Sequence, residues 1–333
     1  MKLTDLVKAL NELSDEVNSL LNDLLAGRQP EELYSASNHL IEAGGKRIRP
    51  FIVLQSCKMV GGEAEEAIPV AAAVELIHNF TLIHDDIMDG DDTRRGAPTV
   101  HMKYGVPMAI NAGDMLFAKA YEAVLMAPRR DASNIMILKL LEKLTKAVQT
   151  VCEGQALDMT FENRNSVSEE EYMKMISQKT AALLVASAEM GALVGGGSEK
   201  QLNHLGRAMN AAGLAFQIAD DVLGVTANER VLGKPVGSDI REGKKTILVC
   251  NALNHTETRQ KELLLKTLGN KSASAKDIEG SIQILRSAGS VDYALKKAED
   301  LTQKAKSELE SFPKTDARDL MISLVEYFIA RDR

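Results

Sequence analysis

Residues 71–96 read AAAVELIHNFTLIHDDIMDGDDTRRG. The first half is nearly all apolar. Five aspartates (Asp85, Asp86, Asp89, Asp91 and Asp92) then fall within eight residues, and Arg94 and Arg95 follow. Residues 63–89 are predicted to form one long helix, apolar on more than one face, as befits a helix central to a bundle. At 3.6 residues per turn, Asp85 and Asp89 share a face, with Asp86 about 100° away. Two carboxylates about 4 Å apart repel by roughly 4 kcal/mol at an effective dielectric of 20. The C-terminus of a helix is also its negative end, so the cluster is electrostatically wrong without a counter-charge. It is either a solvated helix end or a place for cations.

Outward from this stretch, helical periodicity continues and strand alternation is almost missing. Leu3, Leu6, Leu10, Leu13 and Val17 mark one helical stripe. Breakers at Gly27–Pro30, Gly44–Gly45, Gly61–Gly62, Gly96–Pro98, Gly105–Pro107, Gly195–Gly197 and between Gly233 and Gly243 divide the rest. Residues 131–160, 168–194 and 198–226 read as further long helices, 1–40 as N-terminal helices, and 256–333 as more polar, peripheral ones. No Pro/Ser-rich linker divides the chain, so one all-α domain over 1–333 is expected, a large helical bundle.

Composition agrees. Of 333 residues, 45% are hydrophobic but only 4% aromatic, so Ala, Leu, Ile and Met carry the core, and these favour helix. A net charge of -7 gives no sign of a nucleic-acid partner. Cys57, Cys152 and Cys250 are too scattered for zinc or a disulfide framework, which fits a reduced, cytoplasmic chain. The N-terminal segment is amphipathic and polar rather than a signal peptide. The apolar stretches near 67–80 and 181–197 carry Glu75 and Glu189, and neither reads as a membrane span.

A second, fainter cluster echoes the first. Ile218–Gly224 (IADDVLG) resembles Ile83–Asp89 (IHDDIMD), and Gln217, Asp220, Asp221 and Gly224 follow one helix face. Hard carboxylate oxygens suit Mg²⁺, which takes one or two of them and shares its shell with water and phosphate. Basic residues lie nearby in sequence: Lys46, Arg47 and Arg49 in GGKRIRP, Arg94 and Arg95, then Lys234 and Lys244. Such groups hold phosphate. Gly44–Gly45 precedes a helix start whose N–H groups favour anions.

Taken together, these motifs resemble the trans-isoprenyl diphosphate synthases, the polyprenyl synthetases, over about residues 40–330, most closely the short-chain geranylgeranyl type. The resemblance implies an all-α isoprenoid-synthase fold around a central cavity. It implies Mg²⁺-dependent head-to-tail condensation of isopentenyl diphosphate with an allylic diphosphate. Residue by residue, it puts Lys46, Arg49, His78 and Arg95 on isopentenyl diphosphate. Arg94, Lys179, Lys234 and Lys244 go to the allylic or leaving diphosphate. Phe216 and Gln217 lie near the isopentenyl group, Thr180 beside the developing cation, and Gln155 and Asp158 of EGQALD near the reacting carbons. Asp85, Asp86, Asp89, Asp220, Asp221 and Asp239 form the metal set, with Asp86 in a supporting place. About three Mg²⁺ ions are implied, two at the first motif and one at the second. One departure stands out: the second motif ends in Gly224 where the family has a third aspartate. A homodimer is also implied.

Product length follows from geometry. An isoprene unit adds about 5 Å, close to one helix turn of about 5.4 Å, so residues one and two turns before Asp85 act as a floor. Phe80 is aromatic and Thr81 is not, and nothing is inserted within DDIMD. That resembles the C20 type, with Ile77, Met115 and Phe117 as further lining. C15 and C25 products are the alternatives, as is plain core packing for Phe80. Three rival functions compete. An HD-type phosphohydrolase would use His84–Asp85 but needs further histidine pairs. A non-catalytic partner of another prenyl synthase would be expected to lose the metal aspartates. A terpene cyclase needs a closing Glu that DDVLGVTAN lacks at its spacing. Arg331 and Arg333 fit a closing tail over isopentenyl diphosphate or an ordinary frayed end.

Overall fold

In the computed structural model, which describes residues 3–128, 134–226 and 236–330, nearly every element is a helix. In order they are α1 (Leu3–Leu25), α2 (Glu31–Glu42), α3 (Ile48–Met59), α4 (Ile68–Asp89), α5 (Val100–Tyr104) and α6 (Val106–Leu125). Next come α7 (Ile135–Glu162), α8 (Glu169–Ile176), α9 (Ala182–Val194), α10 (Glu199–Thr226) and α11 (Ser238–Glu242). The C-terminal helices are α12 (Ile247–His255), α13 (Thr258–Thr267), α14 (Ala275–Ser287), α15 (Ser290–Leu309) and α16 (Asp316–Ala330). Two breaks interrupt the long helices expected from periodicity. A single 3₁₀ turn, Ala64–Ala67, precedes α4, and a π turn, Ser177–Ala181, joins α8 to α9.

Two compact units are present. The first comprises Met1–Val148, Leu183–Gly206 and Glu310–Ser323. At its centre α4 packs on α6, α3 and α1. From Val70 to Ile77 every side chain of α4 is buried. Small residues, Ala71–Ala73, let neighbours approach on several faces at once, as the apolar sequence requires. The one polar member, Glu75, is 2% exposed and meets Arg47 Nη1 at 3.0 Å. Among the described helices only the stretch Ala64–Asp89 is long and apolar enough to cross a membrane, and 61% of its most apolar window is buried within the protein. Glu189 on α9 is likewise paired, with Lys143 Nζ of α7 at 2.7 Å.

The second unit comprises Gln149–Ala182, Arg207–Leu309 and Leu324–Arg333. Here α12 packs on α15, α8 and α14. Its helix starts are well capped. Ser168 and Glu171 form a reciprocal box at the start of α8, and Ser274 and Asp277 do the same for α14.

A short hairpin was not foreseen from the sequence. Thr93–Arg94 pairs with Ala97–Pro98 across Arg95 and Gly96, both at positive φ. Two central residues with φ > 0 give the turn whose twist matches paired strands, and Gly96 takes this conformation without strain.

Candidate active site

In the first unit, α4 stops at Asp89 because Gly90 adopts the left-handed conformation and its N–H turns back to Asp86 O. The hairpin then folds its arginines back. Arg94 Nε hydrogen-bonds Asp86 Oδ1, and Arg94 Nη2 lies 3.4 Å from Asp91 Oδ2. Arg95 donates to the carbonyls of Leu40 and Gly44. Asp86 is fully buried, and its Oδ2 has no hydrogen-bond partner. Burial pushes its carboxyl up to about 6, against the pull of Arg94 and with a further push from Asp91 and Asp85. Asp85 and Asp89 are half-buried at the helix end.

GGKRIRP divides its basic residues between two environments. Lys46 is exposed. Arg47 is turned inward: it is 6% exposed, at positive φ, and bonded to Glu75, to Asn18 Oδ1 at 2.9 Å and to Ile41 O at 2.9 Å. All three of its nitrogens are engaged, so the phosphate role open to it in the sequence gives way to tying α1, α2 and α4 together. Arg49 is half-buried and its Nε lacks a partner. Burial lowers it to about 10, with Glu75 opposing, so it stays charged at neutral pH. His78 is held well below the usual imidazole range, first by burial and then by Arg49, Arg95, Arg94 and Arg47. It is therefore a neutral donor or acceptor among cations.

One turn up α4, Thr81 Oγ1 donates to His78 O at 2.8 Å. Phe80 stacks edge-on with His84 at 4.9 Å and tilts against Phe117 of α6 at 5.5 Å, which in turn meets Tyr121 at 5.1 Å. Ile77 is wholly buried. His84 leans on α6, with Nε2 3.3 Å from Ile110 O and 4.0 Å from Asp114 Oδ1. No group of three or more His, Cys, Asp and Glu side chains converges on a metal position among the described residues. This is compatible with Mg²⁺, which leaves much of its shell to water and phosphate. The donors on the helix ends, all carboxylate oxygens and including the buried, unpartnered Asp86 Oδ2, fit such a hard cation.

In the second unit, the π turn sets the geometry. A π turn carries one residue more per turn and re-aims the side chains within it. It holds Lys179 and Thr180. Gly154, in the EGQALD stretch of α7, faces it so closely that a Cβ there would lie 2.2 Å from Lys179 N. No residue but glycine fits. Lys179 Nζ reaches Asp158 Oδ2 at 2.6 Å. Thr180 Oγ1 donates to Gln217 Oε1 at 2.9 Å, and Gln217 Nε2 donates to Asp221 Oδ1 at 3.1 Å. Phe216 stacks on Phe328 at 5.1 Å.

The two aspartates of the second motif differ. Asp220 is half-buried, whereas Asp221 is 6% exposed and has both oxygens engaged, Oδ2 by Tyr172 Oη at 2.6 Å. Burial pushes Asp221 up to about 7, against the hydrogen bond from Tyr172. The ligand role assigned to Asp221 from sequence thus meets a side chain already bonded to protein at both oxygens. Where the third aspartate is missing, a Cβ on Gly224 would lie 3.0 Å from Asp239 Oδ2. Asp239 therefore stands beside the position the missing side chain would occupy. Lys244 Nζ lies 2.9 Å from Glu242 Oε2. Gln155 is half-buried on α7. Lys234, Arg331 and Arg333 lie outside the described residues.

Sequence reasoning missed two features here, the π turn and Tyr172. Gly154 inside a long helix was the available signal for the first. The second had none, because Tyr172 and Asp221 lie 49 positions apart.

The chain matches the polyprenyl synthetase family over residues 30–285. It is 45% identical to the geranylgeranyl diphosphate synthase of Sulfolobus acidocaldarius over 324 residues, covering 97% of each chain. Its fold superposes on the geranylgeranyl pyrophosphate synthetase of Pyrococcus horikoshii with a TM-score of 0.94 at 43% identity, covering 100% of both. A polyprenyl synthase from Caulobacter crescentus, solved with calcium and isoprenyl diphosphate, aligns with a TM-score of 0.90 at 32% identity, over 100% of this chain and 98% of that one.

Proposed function

This chain belongs to the polyprenyl synthetase family, and on that footing we propose that it condenses isopentenyl diphosphate head-to-tail with an allylic diphosphate and releases geranylgeranyl diphosphate. The observation that carries the reading is the first aspartate motif, where Asp85 and Asp89 end α4 and the Arg94–Asp86 pair fixes a guanidinium beside them. A carboxylate cluster interleaved with arginine suits a diphosphate and its metal.

Magnesium held by Asp85 and Asp89, and by Asp220 with Asp239, would neutralise charge on the departing diphosphate. The chain's own residues do the rest. Lys46, Arg49 and Arg95 bind the diphosphate of isopentenyl diphosphate, and neutral His78 offers it a hydrogen bond without adding a fourth positive charge. Arg94, Lys179, Lys234 and Lys244 take the allylic diphosphate. Breaking the allylic C–O bond leaves a cation, to which Thr180 and Gln217 present oxygen. The double bond of isopentenyl diphosphate supplies the electron pair for the new C–C bond. One proton then leaves to the released diphosphate, so no side-chain base is required.

The C20 product rests on Phe80. It stands about 7.5 Å along α4 from Asp85, and Phe117 and Tyr121 back it, so the rings form a continuous block. The similarity to two proteins named geranylgeranyl synthases supports the same length. A homodimer belongs to the reading as well, since it would cover apolar side chains such as Met102, Val106 and Ile110, each more than two-fifths exposed.

The test is product analysis with Mg²⁺, labelled isopentenyl diphosphate and farnesyl diphosphate, followed by dephosphorylation and chain-length separation. A C20 alcohol is expected, and Phe80→Ala should extend it to C25 or beyond. Elongation that stops at C15 from shorter primers would keep the enzyme and discard the floor. No product from any allylic primer would discard prenyl transfer itself.

A further inference from the structure

Thr180 and Gln217 end a line of polar side chains that runs inward through the second unit. Tyr172 Oη donates to Asp221 Oδ2, Gln217 Nε2 donates to Asp221 Oδ1, and Thr180 Oγ1 donates to Gln217 Oε1, at 2.6, 3.1 and 2.9 Å. Tyr172, on α8, is 1% exposed, while Thr180 and Gln217 are only half-buried. The line therefore has a buried end and an open end. Gln217 and Asp221 are one turn apart on α10. Tyr172 comes from a different helix, so its bond is the one that pins the carboxylate from outside.

Direction is what matters. Asp221 accepts at both of its oxygens, from Tyr172 Oη and from Gln217 Nε2. Gln217 must turn its NH₂ to Asp221, which leaves its carbonyl for Thr180. The one hydroxyl proton of Thr180 is then committed to Gln217. Thr180 Oγ1 and Gln217 Oε1 thus keep oxygen lone pairs toward the open end. Lone pairs stabilise a nearby carbocation, whereas an inverted amide would aim N–H groups at it.

We propose that Tyr172 is a positioning residue for prenyl transfer, holding Asp221 so that Gln217 and Thr180 turn their oxygens to the developing allylic cation. Tyr172 touches no reacting atom and acts only through this line. The π turn serves the same end, since it swings Thr180 onto Gln217. The inference rests on the prenyl-transfer reading above.

Tyr172→Phe removes one oxygen and keeps the ring. In the full-length enzyme with Mg²⁺, isopentenyl diphosphate and farnesyl diphosphate, kcat should fall on the order of tenfold. Both KM values should stay within about twofold, because ground-state binding is untouched. In a Thr180→Val background the same change should cost far less, since the open end is already gone. An unchanged kcat, a rise confined to KM, or an equal proportional loss in both backgrounds would overturn the proposal. Should Tyr172→Phe fail to melt cooperatively, Asp221→Asn asks the same question by offering N–H where Gln217 needs an acceptor. A loss of kcat with an unchanged Mg²⁺ requirement is expected. A raised Mg²⁺ requirement instead would make Asp221 a metal ligand and sink the idea. A wild-type protein inactive with every primer is a different result: it removes the prenyl-transfer reading, and the role of Tyr172 with it.

Discussion

Arg47 and Arg49 are two positions apart in one motif and have different fates. Arg47 is closed off by Glu75, Asn18 and the Ile41 carbonyl, while Arg49 keeps an unpartnered Nε. Removing one member of a buried ion pair strands the other charge, at a cost of about 3–5 kcal/mol. Arg47→Ala should therefore lower the thermal midpoint sharply. Arg49→Ala should leave stability nearly intact and raise the KM for isopentenyl diphosphate. Melting curves alongside steady-state kinetics of both variants separate the two, and a pure KM effect from Arg47→Ala would show the assignment to be wrong. GGKRIRP alone announces a basic cluster. It does not say which guanidinium faces inward, because that depends on Glu75 arriving from α4.

Helices were the most legible elements, and their interruptions the least. Apolar spacing located α4, α7 and α10 within a few residues, because the 3.6-residue period is a property of the local chain. The π turn in 177–181 and the hairpin at 93–98 depend on contacts from elsewhere: Gly154 against Lys179 N, and the Leu40 and Gly44 carbonyls under Arg95. The start of α8 carries a pH signature. Arg164, bound through both terminal guanidinium nitrogens, and the capping bonds to Ser168 hold Glu171 down at about 2, below its ordinary 4.5. Its folded value is depressed, so its stabilisation is complete above about pH 4.5 and disappears as pH falls through about 2. The gap in thermal midpoint between wild type and Glu171→Gln should follow that window. A gap that stays constant down to pH 2 would show the helix start to be insensitive to the charge.

At the scale of the whole chain, the expectation concerns linkage. A ligand that binds only the folded protein stabilises it, by about 2.7 kcal/mol at a hundred times its Kd. Mg²⁺ and inorganic diphosphate together should raise the thermal midpoint by a few degrees, more than the sum of each alone, and a chelator should abolish both that shift and the activity. Equal shifts with and without the metal would contradict a site in which carboxylates reach phosphate through cations. The sequence by itself determined the helical class and the order of the motifs. Each of these depends on residue type and short-range spacing, and both are written along the chain. Only the tertiary structure decided that Arg47 is structural, that Asp239 stands beside Gly224, and that Tyr172 lies behind Asp221. Those pairings join residues 15 to 49 positions apart, and whether a charge is paired, buried or open depends on which distant side chain packing brings to it.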